Sequence, residues 1–270
     1  MKKMHAICGL PRSGSTLLCN VLNQNPQFYA SSTSCLPQLL GNMSGFCSHS
    51  PEMKSDLHND PEVAQQKLSL AMKSVCESWY FNKNESIIFD KSRLWNNHAQ
   101  LFSHLYPEGK MLVCVRDLRS VFASIEKQNA KNPTLSDAQN PAQRSLYDRV
   151  DKMCSPDGLV GIAVKGIEDI LHRKANNVVM IPYEYFSENP EKSMERIYDE
   201  LGETQFSHDF DNVVDVSNDV DALYLYKYPH NGSGKIEKSK DKWEDWVSED
   251  IANFIMGKFE TYNDYFGYTK

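Results

Sequence analysis

The sequence predicts an α/β fold in which a single parallel sheet is flanked by helices on both faces. Two features of the chain carry that expectation. Short apolar runs alternate with longer amphipathic segments of helical period. The runs are apolar throughout rather than at every second residue, as strands covered on both faces are. With 270 residues, no internal repeat and no linker-like stretch, residues 1–270 read as one domain.

The first strand, His5–Leu10, stops at a turn rich in Gly, Pro and Ser. Leu17, Leu18, Val21 and Leu22 then fall at helical spacing across Thr16–Asn25, and Asn25-Pro26 ends that helix. Gly41–Asn59 is rich in Gly, Ser, His and Pro and reads as a mobile excursion, followed by a helix from Pro61 to Tyr80. Ile87–Phe89 is the second strand, ending in Asp90-Lys91, and Met111–Val115 the third, ending in Arg116-Asp117. A helix over Arg119–Lys127, a polar loop over Asn129–Asn140 and helices over Pro141–Met153 and Leu159–Ala175 follow. Val178–Ile181 is the fourth strand and Pro190–Leu201 a helix. Asp215–Asp241 is irregular, and Glu249–Phe266 is a final amphipathic helix.

Composition narrows the function. A net charge of −7 weighs against a nucleic-acid or polyanion partner, which needs a broad basic face, but leaves room for a local basic pocket. No run approaches the roughly 18–20 apolar residues of a membrane span, and the apolar start is cut short at Pro11, too early for a secretory signal. The seven cysteines are scattered, odd in number and in no zinc-binding spacing, so they read as reduced core thiols of a cytoplasmic protein without a metal site.

Gly9-Leu-Pro-Arg-Ser-Gly-Ser-Thr16 is the most informative stretch. A strand enters it and a helix leaves it, so backbone N–H groups and the helix dipole converge on one anion site. Gly14 lets the backbone curl closely, Ser13, Ser15 and Thr16 offer hydroxyls, and Arg12 offers a planar cationic fork. The spacing is that of a P-loop, but Ser15 stands where nucleotide triphosphatases carry the lysine that reaches the β/γ-phosphates. That substitution argues against ATP or GTP.

Pro11-Arg-Ser-Gly-Ser-Thr-Leu-Leu18 resembles the 5′-phosphosulfate loop of sulfotransferases that use 3′-phosphoadenosine 5′-phosphosulfate (PAPS), closest to the form found in tyrosylprotein and many bacterial members. The resemblance implies a P-loop NTPase-like fold and cofactor contacts from Arg12 through Leu17. Val113–Ser124 resembles the family's 3′-phosphate motif, which implies that Arg116 and Ser124 grip the 3′-phosphate. Val179–Pro190 with Leu201-Gly202 resembles a further segment, implying Tyr183 near the adenine. His230-Asn-Gly-Ser-Gly-Lys-Ile236 stands where the family has a late glycine-bearing loop, so His230, Gly232 and Lys235 are expected over the 3′-phosphate. Phe89–Trp95 resembles the segment whose lysine stabilises the transferring sulfuryl group, which makes Lys91 the expected catalytic cation beside Arg12.

The implied reaction is sulfuryl transfer from PAPS to a hydroxyl or amine, releasing PAP, with no metal. The acceptor would be a small molecule, lipid or glycan. No glutamate follows the first helix in Ala30–Cys35, where the tyrosylprotein enzymes carry their base. His98, two helical turns past Lys91, is a candidate to face the cleft. His49 and His58 fall in the excursion, a candidate acceptor lid. Two other readings stay open: a P-loop small-molecule kinase in which Asp90 ligates magnesium, and a PAP/PAPS-binding protein without transfer.

Overall fold

The computed structural model describes residues 2–131, 145–216, 234–238 and 242–268. Five parallel strands form one sheet: β1 (Lys3–Gly9), β2 (Phe28–Ala30), β3 (Ile87–Lys91), β4 (Met111–Val115) and β5 (Val178–Pro182). Their spatial order is β2-β3-β1-β4-β5, which puts the strand that leads into the phosphate loop at the centre. The pairing Ile7↔Lys91, Gly9↔Cys114 and Val115↔Pro182 brings the carboxyl ends of β3, β1, β4 and β5 out along one edge. Open α/β sheets bind ligands at that edge.

Helices cover both faces, as the apolar runs predict. Alternate residues of β1 point to opposite sides. Ala6 and Cys8 join a core with Trp95, Phe102 and Tyr262, whereas Ile7 joins one with Leu18, Leu22 and Tyr198. Among the described residues the helices, in chain order, are α1 (Ser15–Leu22), α2 (Leu36–His49), α3 (Pro51–Asn59), α4 (Pro61–Trp79), α5 (Ala99–Leu105), α6 (Leu118–Lys131), α7 (Leu146–Cys154), α8 (Gly161–Arg173), α9 (Tyr183–Glu188), α10 (Pro190–Leu201), α11 (Glu249–Lys258) and α12 (Glu260–Phe266). Among the described residues no helix is long and apolar enough to cross a membrane.

Several expectations are corrected. Residues 41–59 are helical rather than a mobile excursion. Ser50 caps α3 by accepting the Met53 N–H at 3.3 Å, Asp60 caps α4 by accepting the Val63 N–H at 3.1 Å, and each is followed by proline at the first helical position. Strand β2 is too short to stand out as an apolar run. The final helix is two, parted at Phe259, where the backbone leaves helical geometry. Helix α8 ends at Lys174, a non-glycine residue with φ 51°. Much of the expected loop at 129–140 and of the irregular stretch 215–241 lies outside the described residues.

Candidate active site

The loop after β1 is shaped from both sides. Gly9 has φ 123°, and a Cβ there would sit 2.0 Å from the Cys114 carbonyl oxygen of β4, so only glycine fits. The buried Asn96 side chain accepts the Gly9 N–H and donates to the Gly9 carbonyl, both at 3.0 Å. Arg12 and Gly14 both take left-handed backbone, with φ 59° and 83°. Left-handed backbone at a non-glycine residue costs on the order of 1 kcal/mol, and neighbours hold it. Arg116 Nη1 donates to the Arg12 carbonyl at 2.8 Å, and Arg12 Nε donates to Ser124 Oγ at 3.1 Å.

Gly14 provides no side-chain cap for α1, so the N–H groups of the first turn face a ligand without competition from a capping side chain. Ser15, Thr16 and Leu17 line the cleft in front of that turn. Ser13 plays a different part from the one expected of its hydroxyl. It is buried, and its Oγ donates to the Leu10 carbonyl at 2.7 Å, which spends its single hydrogen inside the loop.

The second basic group leaves the sheet beside this loop. Arg116 follows β4, and its guanidinium carbon lies 4.2 Å from the centroid of the Tyr183 ring. That ring also abuts Gly14, where a Cβ would meet Tyr183 Cδ2 at 2.6 Å. Arg116 Nε is buried with no hydrogen-bond partner. The adjacent carboxylate does not consume Arg116, because Asp117 pairs with Arg119 at 2.7 Å. Arg12, Arg116, Ser124 and Tyr183, read from separate motifs, therefore stand together.

Lys91 arrives from the other side, at the end of β3. It is buried, and Nζ donates to Thr16 Oγ1 at 3.1 Å and to the Ser32 carbonyl. The preceding residue points to the opposite face of the sheet. Asp90 accepts from Tyr80 Oη at 2.5 Å and from Trp95 Nε1 at 2.6 Å, and burial pushes its carboxyl above the usual range. Asp90 does not line the cleft, so the kinase reading loses its magnesium ligand.

These groups border a cleft of about 960 Å³. Its lining includes Arg116, Ser124, Tyr183, the loop and Lys91, and also Arg93, Leu94, Asn97, Asp157, Leu159 and Ile162. His98 is not among its lining residues; the ring packs on α2, where a Cβ at Gly41 would meet His98 Cε1 at 2.7 Å. Burial lowers its pKa, in keeping with a packed imidazole. The expectation that His98 faces the cleft is therefore corrected. Lys235 does line the cleft, but it is exposed and its ammonium pairs with Asp211 at 2.7 Å, which raises its pKa. His230 and Gly232 lie outside the described residues.

Sequence reasoning passed over Asn96, because a lone asparagine in a turn carries no sign of a partner 87 positions away. It also passed over Asp157, whose signal was only a turn ahead of a helix. Hydrogen bonds from Ser155 and its own backbone hold the Asp157 carboxyl below the usual range.

A model described as the sulfotransferase family matches residues 6–207. Solved structures share the fold. The sulfotransferase domain of the Synechococcus PCC 7002 olefin synthase aligns at 20% identity over 94% of this chain and 96% of its own, with a TM-score of 0.50. The sulfotransferase domain from the curacin biosynthetic pathway aligns at 14% identity over 100% and 99%, with a TM-score of 0.56. Mouse sulfotransferase SULT7A1, complexed with PAP, aligns at 12% identity over 97% and 84%, with a TM-score of 0.53. No curated protein matches the chain. The family match spans most of the sequence and includes the loop, Lys91, Arg116 and Tyr183, and the protein belongs to the sulfotransferase family.

Proposed function

We propose that this sulfotransferase uses PAPS, with the 5′-phosphosulfate on the Arg12–Leu17 loop and the 3′-phosphate against Arg116 and Ser124. One observation carries the donor assignment: the buried, unpartnered Nε of Arg116, on a guanidinium fixed between Tyr183 and the loop. A buried cationic donor without a partner is costly unless an anion answers it. Of the donors that fit the loop, one with a second phosphate on its ribose suits a second cationic group this near the first.

PAPS supplies an activated sulfuryl group. The chain's own groups position it and manage charge, as in phosphoryl transfer. Arg12 and the N-terminus of α1 neutralise the phosphate that leaves, and Lys91 stabilises the oxygen between sulfur and phosphorus. An S–O bond forms to the acceptor oxygen, or an S–N bond to an acceptor nitrogen, while the bond from sulfur to the phosphate oxygen breaks. The acceptor proton passes to a carboxylate or to water; Asp157 and Glu237 are the carboxylates among the described lining residues.

The acceptor, a small molecule, lipid or glycan, lies beyond Lys91, where Leu94, Leu159 and Ile162 supply apolar surface. Residues 1–270 act as one domain, a reading supported by Tyr262 packing in the same core as β1. A cytoplasmic location is supported by seven cysteines of which none forms a disulfide.

Thermal-shift titration with PAP, 5′-AMP, ATP and magnesium-ATP tests the donor. PAP should stabilise the chain well above 5′-AMP, with or without chelator. Equal responses to PAP and 5′-AMP would remove the role given to Arg116 and Ser124. Binding of PAP without transfer to any of a broad acceptor panel would instead favour a binding protein.

A further inference from the structure

Helix α12 lies beyond the matched residues 6–207, yet it reaches the donor pocket. Tyr262, fully buried, accepts the Arg116 N–H at 3.2 Å and donates to the Arg116 carbonyl at 3.0 Å. One hydroxyl thus satisfies both main-chain groups of the residue whose side chain is assigned to the 3′-phosphate. A second link braces the next residue: Glu184 accepts the Asp117 N–H at 3.0 Å on Oε1 and the Tyr268 hydroxyl at 3.0 Å on Oε2. Glu184 directly follows Tyr183, whose ring carries the Arg116 guanidinium. The turn after β4 and the start of α9 are therefore tied together by the C-terminal segment.

We propose that Tyr262 is a positioning residue for donor recognition, holding the Arg116 main chain so that its guanidinium stays over Tyr183 and aimed at the 3′-phosphate. The inference rests on the PAPS reading and deepens it. Helix α12 then selects for a 3′-phosphorylated nucleotide without touching it. A side chain that fixes the backbone of a charged ligand-binding residue governs how much of the time that residue is competent to bind. Loss of the clamp should act on the contact Arg116 makes and leave the 5′ loop unaffected.

The test is Tyr262→Phe in the full chain, which keeps the ring and removes only the hydroxyl. Calorimetric titration with PAP and with 5′-AMP should show PAP affinity falling about tenfold and 5′-AMP affinity changing less than about twofold. The KM for PAPS should rise by a similar factor with kcat nearly unchanged. A purely structural tyrosine would lower the melting temperature and leave the PAP to 5′-AMP ratio as it is, and that result would overturn the proposal. Tyr268→Phe, which frees one oxygen of Glu184, should lower the ratio by about twofold. If Tyr262→Phe does not fold, an unchanged ratio in Tyr268→Phe overturns the proposal instead. A wild-type chain with no preference for PAP sinks the donor reading itself, and this inference with it. That outcome is distinct from a preference the variants retain.

Discussion

At Arg116 the lining of the cleft is half-buried and braced by distant elements; at Arg93, Asn97 and Asp157 it is exposed. Arg116 is clamped at its N–H and carbonyl by Tyr262, bonded to the Arg12 carbonyl and laid on Tyr183, which rests on Gly14. Elsewhere on the lining, Arg93, Asn97 and Asp157 are exposed, and Leu94, Leu159 and Ile162 are only partly buried. A donor common to many reactions calls for one rigid, preorganised geometry. The contrast sets a half-buried, braced group against an exposed rim.

The sharpest way to break this comparison is Lys91→Ala. Turnover should fall by about a hundredfold or more, with PAP affinity within about threefold of wild type. Unchanged turnover, measured by label transfer from PAPS, would take Lys91 out of the chemistry. Gly14→Ala attacks the braced group. Its φ of 83° and a Cβ 2.6 Å from Tyr183 should strain the loop and push the ring off Arg116, lowering PAP affinity by about thirtyfold. A variant that folds and binds PAP normally would show that Tyr183 does not need its seat on Gly14. Ile162→Ala probes the rim and should have the smallest effect. The acceptor KM should shift by about three- to tenfold, with PAP affinity unchanged. A parallel loss of PAP affinity would mean that the two parts of the lining are not independent.

Much of the cleft around Arg12 and Arg116 was legible because its signals are local. Gly9 to Thr16 carries its own turn chemistry, and the motifs around Lys91, Arg116 and Tyr183 each follow an apolar strand. A parallel sheet delivers the ends of such strands to one edge whatever their spatial order. Ser13 was misread because a hydroxyl that binds a ligand and one that closes a turn look alike in sequence. His98 was misread because no helix joins it to Lys91: β3 ends at Lys91, a short 3-10 turn covers Arg93–Asn96, and His98 stands just ahead of α5 with its ring toward Gly41. The helices over 36–59 were obscured by glycine and serine, although Ser50-Pro51 carried the capping chemistry that starts α3.

By itself the sequence determined the sheet-and-helix architecture and the strand–loop–helix turn over residues 9–16, because strand and helix periodicity and turn preference are properties of neighbouring residues. Tertiary structure alone decided that Asn96 holds Gly9, that Asp90 faces away from the cleft and that Tyr262 clamps Arg116. Those partners lie 87 and 146 positions apart in the two clamping contacts. Only the packed sheet edge brings them within hydrogen-bonding distance.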